Sequence, residues 1–246
     1  MTDLETRMRA YEENSNLSYD SSSPLYIRVD GHGFSKFTRS FKKPYDDLIT
    51  EGMNYAAKRE FGELNVCRLA YTQSDEITFV LWNAKGNTEP YPQSGRTQKL
   101  ASLVASHVTL FFNEYLSKHI DANDPLHLKI FEPYFDGRVV SIAKEEVPNY
   151  IFWRALDSTR NSIQTVARWT FGHKAILNKN SDMMIKMLAD KNIDIYQYCL
   201  AGRIFYKNDV GCVQYDNMPL PKKGFYEYFV EKYMKGVFDE VWRTAA

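Results

Sequence analysis

From Leu25 to Ala143 the apolar residues run in the order strand, helix, strand, strand, helix, strand, and that order leaves few folds open. LYIRVD, residues 25–30, is a short β-branched strand that ends in GHG. A helix is expected after FKKPYDD, with Pro44 in its first turn and Asp46 and Asp47 near its positive end. On it Ile49, Met53, Ala56 and Glu60 share one face, and the first three suit a core. Val66, Leu69 and Tyr71, then Ile77, Phe79 and Val80, read as the two arms of a hairpin, with turn-type residues from Thr72 to Asp75. Leu100, Val104, Val108, Phe111 and Tyr115 form a helical stripe. Residues 126–143 read as extended segments around a turn at Phe135-Asp136-Gly137. The order is the split βαβ arrangement of ferredoxin-like folds (βαββαβ), so an α+β class is expected. Residues 1–15 add a short helix. Beyond the core come a helix over Val147–Phe171, a second helix in MMIKMLADKN, a late β-hairpin from GRIFYKN and GCVQYDN, and an amphipathic segment from Gly224 to Trp242. We read residues 1–143 as a catalytic core and 144–246 as a helical and hairpin extension packed on it, the two forming one compact unit.

Acidic residues stand where this order brings chain ends together. Asp30 closes the first strand, and Asp75 and Glu76 occupy the tip of the central hairpin. The first and third strands are central neighbours in a split βαβ sheet, so these carboxylates can meet although they are far apart in sequence. Carboxylates at one sheet end suit a hard divalent cation such as magnesium, which is usually held by one or two carboxylates plus substrate phosphates. Two such ions serve phosphoryl or nucleotidyl transfer. Gly31 and Gly33 let a ligand approach the main chain, and Lys43 supplies positive charge. Taken alone, DG and GHG are equally what a turn after a strand looks like.

YIRVDGHGFSKF, FKKP, YTQSDE and FDGRVV, in that order and at that spacing, closely resemble the tRNA-histidine guanylyltransferase family over most of residues 20–160. The resemblance implies a polymerase-like palm, two magnesium ions, GTP and ATP as substrates, and nucleotide addition to the 5′ end of tRNA in the 3′-to-5′ direction. It implies Asp30 and Asp75 as catalytic, metal-binding carboxylates, with Gly31 offering a carbonyl to the metal. Glu76 is a further metal candidate, better suited to a supporting place because adjacent side chains on an extended chain point to opposite faces. Asp30, Gly31, His32, Gly33, Phe34 and Ser35, with Ser74 and Asp75, resemble the nucleotide-binding stretch, and Lys43 the lysine that meets the triphosphate. Relatives assemble as tetramers, so a homotetramer is expected. One departure stands out. Eukaryotic members carry H-I-N-N-L-Y-N after WR, whereas this chain reads WRALDSTRNSIQTVA from Trp153 to Ala167, with Thr159 in place of the histidine. That resembles the Thg1-like branch, which repairs truncated tRNA 5′ ends by templated addition.

Several residues keep two readings. His32 is a backbone spacer or base contact more readily than a catalyst. Arg96 and Lys99 are either a clamp for the 5′ end or its triphosphate, or a solvated helix start. Arg154 and Arg160 face RNA phosphates or form a charged helix face, and Arg28 is a further candidate for tRNA or triphosphate contact. Asp136 reads as a turn residue that positions Arg138. A nucleotidyl cyclase, a dedicated tRNA(His) guanylyltransferase and a catalytically silent RNA-binding protein are the competing readings of function.

Composition adds exclusions. Lys+Arg and Asp+Glu both total 31, so no global basic field draws the chain to RNA and any polyanion site must be a local cluster. No run approaches the roughly 18 apolar residues of a membrane span. The charged N-terminal stretch is unlike a secretory signal. Cys67, Cys199 and Cys212 form no CxxC pair, which suits a reducing, cytoplasmic setting.

Overall fold

A computed structural model of the chain describes residues 3–13, 17–64, 66–82, 90–198, 200–207 and 213–234. Cys199, Cys212, most of the loop after Trp82 and the end of the C-terminal segment lie outside them. Helix α1 (Asp3–Glu13) precedes β1 (Leu25–Gly31), the short α2 (Phe34–Phe37), α3 (Asp47–Glu63), β2 (Cys67–Gln73), β3 (Glu76–Leu81), α4 (Thr97–His119) and β4 (Phe135–Ser141). Then follow α5 (Val147–Phe171), α6 (His173–Ile176), α7 (Ser181–Ala189), β5 (Arg203–Lys207), β6 (Val213–Asn217) and α8 (Phe225–Phe229).

The strands make one antiparallel sheet in the order β4-β1-β3-β2-β5-β6. Its first four strands are in the expected ferredoxin-like order, and the late hairpin continues the same sheet past β2. Alternation along the strands loads both faces. Leu25, Ile27, Val29, Ile77, Phe79 and Leu81 pack under α3 and α4 with Met53, Val104, Val108 and Phe112. Tyr26, Leu69, Tyr71 and Val80 pack on the other face with Ile151, Ala155 and Phe229 of α5 and α8. Because both faces are covered, β3 is buried at every position.

Several local expectations shift. Pro44 lies before helix α3, whose N-cap is Asp46, with the carboxylate accepting from the Leu48 N–H at 2.9 Å. The side chain that closes the helix start is therefore the aspartate, since a short carboxylate satisfies a free N–H. Phe135-Asp136-Gly137 is the start of strand β4, not a turn, because its residues pair in register with Gly31, Asp30 and Val29. Gly137 is required there by close packing: a Cβ would stand 2.6 Å from the Ala101 carbonyl oxygen of α4. Residues 125–129 form a 3-10 turn where extended chain was expected. The hairpin turn is only Ser74-Asp75, since Thr72 and Gln73 still pair with Ile77 and Glu76. Glu60 is buried with the apolar face of α3 and meets His107 Nδ1 at 2.9 Å.

Candidate active site

The β1 end and the β2–β3 turn are tied by their backbones. The Gly31 N–H donates to the Asp75 carbonyl at 3.0 Å, which brings the residues around Asp30 and Asp75 together at one end of the sheet. Gly31 also cannot carry a side chain: a Cβ would lie 2.2 Å from the Phe34 ring, which is buried against Phe37, Phe112 and Phe135. Gly33, with φ at +64°, turns the chain into α2. Ser74 takes a left-handed φ of 49° at the hairpin tip, and its hydroxyl donates to Asp75 Oδ1 at 2.9 Å.

These carboxylates are short of positive charge. Burial raises the Asp30 carboxyl above its ordinary value, and Asp136, directly opposite on β4, adds to the push; Arg28, Arg138 and Arg154 only partly offset it. Asp75 is raised by burial as well, pulled back by the Ser74 hydroxyl and pushed again by Asp30. Two half-buried carboxylates that repel one another gain from a bound cation. Among the described residues, no three or more His, Cys, Asp or Glu side chains form a metal cage. Two carboxylates without a full protein cage fit magnesium, which keeps waters and takes substrate phosphates as its remaining ligands. The turn expected at residues 135–137 hides the register that places Asp136 opposite Asp30.

Glu76 has a different environment. It is the register partner of Asp30 and so lies on the same face, toward α5. Arg154 Nε donates to Glu76 Oε1 at 2.8 Å, and Arg28 Nε stands 3.8 Å from the other oxygen. Burial still raises the Glu76 carboxyl, and the two guanidinium groups limit the rise. Arg154 is itself buried, also binds Asp157 at 2.9 Å and lies against the exposed Trp153 ring. It is thus inside the protein, not on an RNA-facing surface. Arg160 is exposed and pairs with Asp157.

A cleft of about 680 Å³ opens beside Asp75. Phe34, Ser35 and Lys43 line one wall, Ser74 and Asp75 the floor, and Asn161, Arg168 and Trp169 of α5 the opposite wall. Lys43 Nζ donates to the Thr38 carbonyl at 2.7 Å, which holds the ammonium over the α2 segment. Thr159 is outside the lining, with its hydroxyl donating to the Ala155 carbonyl within α5. Arg96 and Lys99 are not brought to the carboxylates. Helix α4 runs from Ala101, under Gly137, to Thr109, which accepts from the Phe135 N–H, so its start points toward the far end of β4. There Arg96 bridges Ser18.

Comparisons with known proteins fit this arrangement. The family model described as Thg1, tRNAHis guanylyltransferase, matches residues 5–143. The tRNA(His) guanylyltransferase of Candida glabrata is 33% identical over 170 residues, 65% of this chain and 68% of that protein. Across eight of the curated relatives it matches, the chain spans between 47% and 73% of their length. A bacterial tRNA(His) guanylyltransferase (Thg1)-like protein in complex with ATP superposes with a TM-score of 0.80 at 28% identity, covering 96% of this chain and 98% of that one. A bacterial Thg1-like protein in complex with GTP gives 0.74 at 25% identity, covering 94% and 99%. With its core sheet, its paired carboxylates and its matched residues in the same region, the chain belongs to the tRNAHis guanylyltransferase (Thg1) family of nucleotidyltransferases.

Proposed function

We propose that this protein is a magnesium-dependent 3′-to-5′ nucleotidyltransferase that repairs truncated tRNA 5′ ends by templated addition. The observation that carries the reading is the pair Asp30 and Asp75, brought together through Gly31, with Asp75 on a cleft wide enough for a nucleoside triphosphate. In the first step a 5′-phosphate oxygen of the RNA attacks the α-phosphorus of ATP and pyrophosphate leaves. In the second, the 3′-hydroxyl of the incoming nucleotide attacks the activated 5′-phosphorus, AMP leaves and the hydroxyl proton is released. Asp30, Asp75 and the Gly31 carbonyl would hold magnesium, whose chemistry is to neutralise phosphate charge and lower the pKa of the attacking hydroxyl. Lys43, Phe34 and Ser35, which line the cleft, would bind the triphosphate, and Ser74 orients Asp75.

Templated repair is favoured over dedicated histidine-tRNA work by Thr159, which replaces a histidine and spends its hydroxyl inside α5. Specificity would then reside in base pairing, with protein reading backbone and shape, and misplacing the hydroxyl by about 1 Å would cost on the order of 100-fold in rate. We further propose a homotetramer in a reducing, cytoplasmic setting. What supports it is α1, which buries none of its residues and exposes Leu4, Met8 and Tyr11, and the buried free thiol of Cys67.

The test supplies tRNA lacking its first 5′ nucleotide, each labelled nucleoside triphosphate in turn, and all four bases at the opposing position. The added nucleotide should follow the opposing base. Addition of guanosine regardless of template, and only to tRNA with the histidine anticodon, would make the protein a dedicated guanylyltransferase. A cyclic nucleotide product would make it a cyclase.

A further inference from the structure

The Asp30–Asp75 pair has two flanks, and the cleft occupies only one of them. Along this end of the sheet the order is β4, β1, β3, β2, β5. The cleft is lined by Thr72, Gln73 and Arg203 of β2 and β5, by Asp75, and by Phe34 and Ser35 after β1, whereas His32, Tyr134, Asp136 and Arg138 are outside its lining. On the β4 side stands a different feature. The His32 and Tyr134 rings stack with centroids 5.0 Å apart and planes 19° from parallel, and both residues are exposed. Tyr134 is 54% exposed although it immediately precedes the buried Phe135. The backbone already joins the two segments, since the His32 N–H donates to the Tyr134 carbonyl at 2.9 Å. The ring pair is therefore not needed to close the loop, and it adds nothing to the core. Tyr134 sits two residues from Asp136, which lies across from Asp30, so the platform borders the reacting centre.

We propose that Tyr134, backed by His32, is a stacking platform for the 5′-terminal base of the RNA. An aromatic face accepts any base, which suits an enzyme that must hold RNA ends of different sequence, and a ring braced from behind loses little freedom on binding. Arg138, 55% exposed on the same strand and 3.7 Å from the Asp136 carboxylate, supplies the positive charge on this flank for a backbone phosphate. The triphosphate that activates the end occupies the cleft, and the end itself approaches from the opposite flank. Tyr134 is a positioning residue that acts through the RNA. The inference rests on the proposed RNA-end activity for its substrate class.

The experiment is a cycle between Tyr134→Ala and the RNA. One RNA is a tRNA lacking its first 5′ nucleotide; the other is identical except that its 5′-terminal nucleotide is abasic. RNA Kd is measured by fluorescence anisotropy in an Asp30→Ala background, where chemistry is silent, and KM for RNA and for nucleotide in the active protein. Tyr134→Ala should weaken binding of the first RNA by about tenfold, raise KM for RNA, and leave KM for nucleotide unchanged. Tyr134→Phe should restore binding, and the abasic RNA should bind wild type and Tyr134→Ala equally. An equal penalty on both RNAs, a penalty on the nucleotide KM instead, or no penalty in a variant with an unchanged melting temperature would each overturn the proposal. Absence of nucleotide addition by the wild-type protein would overturn the activity, while the anisotropy cycle would still decide the platform.

Discussion

Replacing Arg154 by alanine should destabilise the fold before it affects RNA. The Arg154 and Glu76 side chains are 8% and 6% exposed and meet at 2.8 Å. Removing the guanidinium leaves a buried carboxylate whose nearest cation is Arg28 at 3.8 Å and whose neighbour is Asp30. Breaking a buried pair from one side costs roughly 3–5 kcal/mol. Because Arg28 remains on the second oxygen, we take the lower end, about 3 kcal/mol. For a chain of this size each kcal/mol moves Tm by about 2–4 °C, so the melting temperature at pH 7 should fall by roughly 6–12 °C. The double variant Arg154→Met/Glu76→Gln should recover most of the loss, because no buried carboxylate is left stranded at position 76 and Arg28 keeps Asp30 beside it, with a coupling energy above about 1 kcal/mol. The penalty should also shrink on acidification. Without Arg154 the folded-state pKa of Glu76 rises further above its unfolded value, so the native state gains protons as pH falls and the destabilisation fades. Thermal melts of the wild type, both single variants and the double variant between pH 5 and 8 test this. Additive losses, or an Arg154→Ala variant that melts with the wild type and loses only RNA affinity, would refute the buried-latch reading and return Arg154 to the surface.

The same reasoning reaches other residues. Asp30→Asn and Asp75→Asn should each abolish nucleotide addition, yet raise Tm at pH 7 in magnesium-free buffer; both carboxyls sit above their ordinary values, so their contribution to stability is largest in acid and is lost as pH rises through the folded-state pKa. Glu76→Gln should reduce addition less than Asp75→Asn, since Glu76 is engaged with Arg154; equal losses in the kinetic assay would move Glu76 among the direct metal ligands. Gly31→Ala should cost about 1–3 kcal/mol in urea melts by driving a Cβ into the Phe34 ring, with nucleotide binding lost alongside. Burial holds Glu60 at about 7 against an ordinary 4.5, partly offset by His107, so stability should fall by on the order of 3 kcal/mol between pH 4.5 and 7.5 from this group; Glu60→Gln should flatten that slope, and an unchanged slope would count against the assignment.

Strong periodicity made the core legible. The stripe from Leu100 to Tyr115 has one period and one buried face, the run from Ile77 to Val80 is apolar enough for a strand buried on both faces, and α4 and β3 form where they point. The pairing of Asp30 with the hairpin tip followed from strand order alone. What remained hidden depends on register and on long-range partners. Asp136 could not be placed opposite Asp30 while residues 135–137 read as a turn, because DG is equally common as a turn and here serves close packing against Ala101. Arg154 looked like part of a charged helix face because periodicity does not say that a buried carboxylate on β3 waits beneath that face. The stacked rings of His32 and Tyr134 are about a hundred positions apart, beyond any local pattern.

The site is therefore divided between two halves of the chain in a way the family match does not express. Residues 5–143 contain both carboxylates, Lys43 and the glycine-bearing loop, the residues proposed to hold phosphate and metal. The far wall of the cleft comes from beyond that boundary: Asn161, Arg168 and Trp169 of α5, then Gly202 and Arg203 at β5. Arg154 fastens α5 to β3 through Glu76, one residue from Asp75, and Ser158 fastens it to the Leu200 carbonyl at 2.7 Å. A shift of α5 would thus alter the cleft width and the charge beside Asp30 together, since Arg154 is also one of the cations that moderate the Asp30 carboxyl. Under the proposed function, substitutions along the cleft-lining side of α5 should change which RNA or nucleotide is accepted without touching the carboxylates. Substitutions at Arg154 or Ser158 cannot, because they move the wall and the reacting centre as one body.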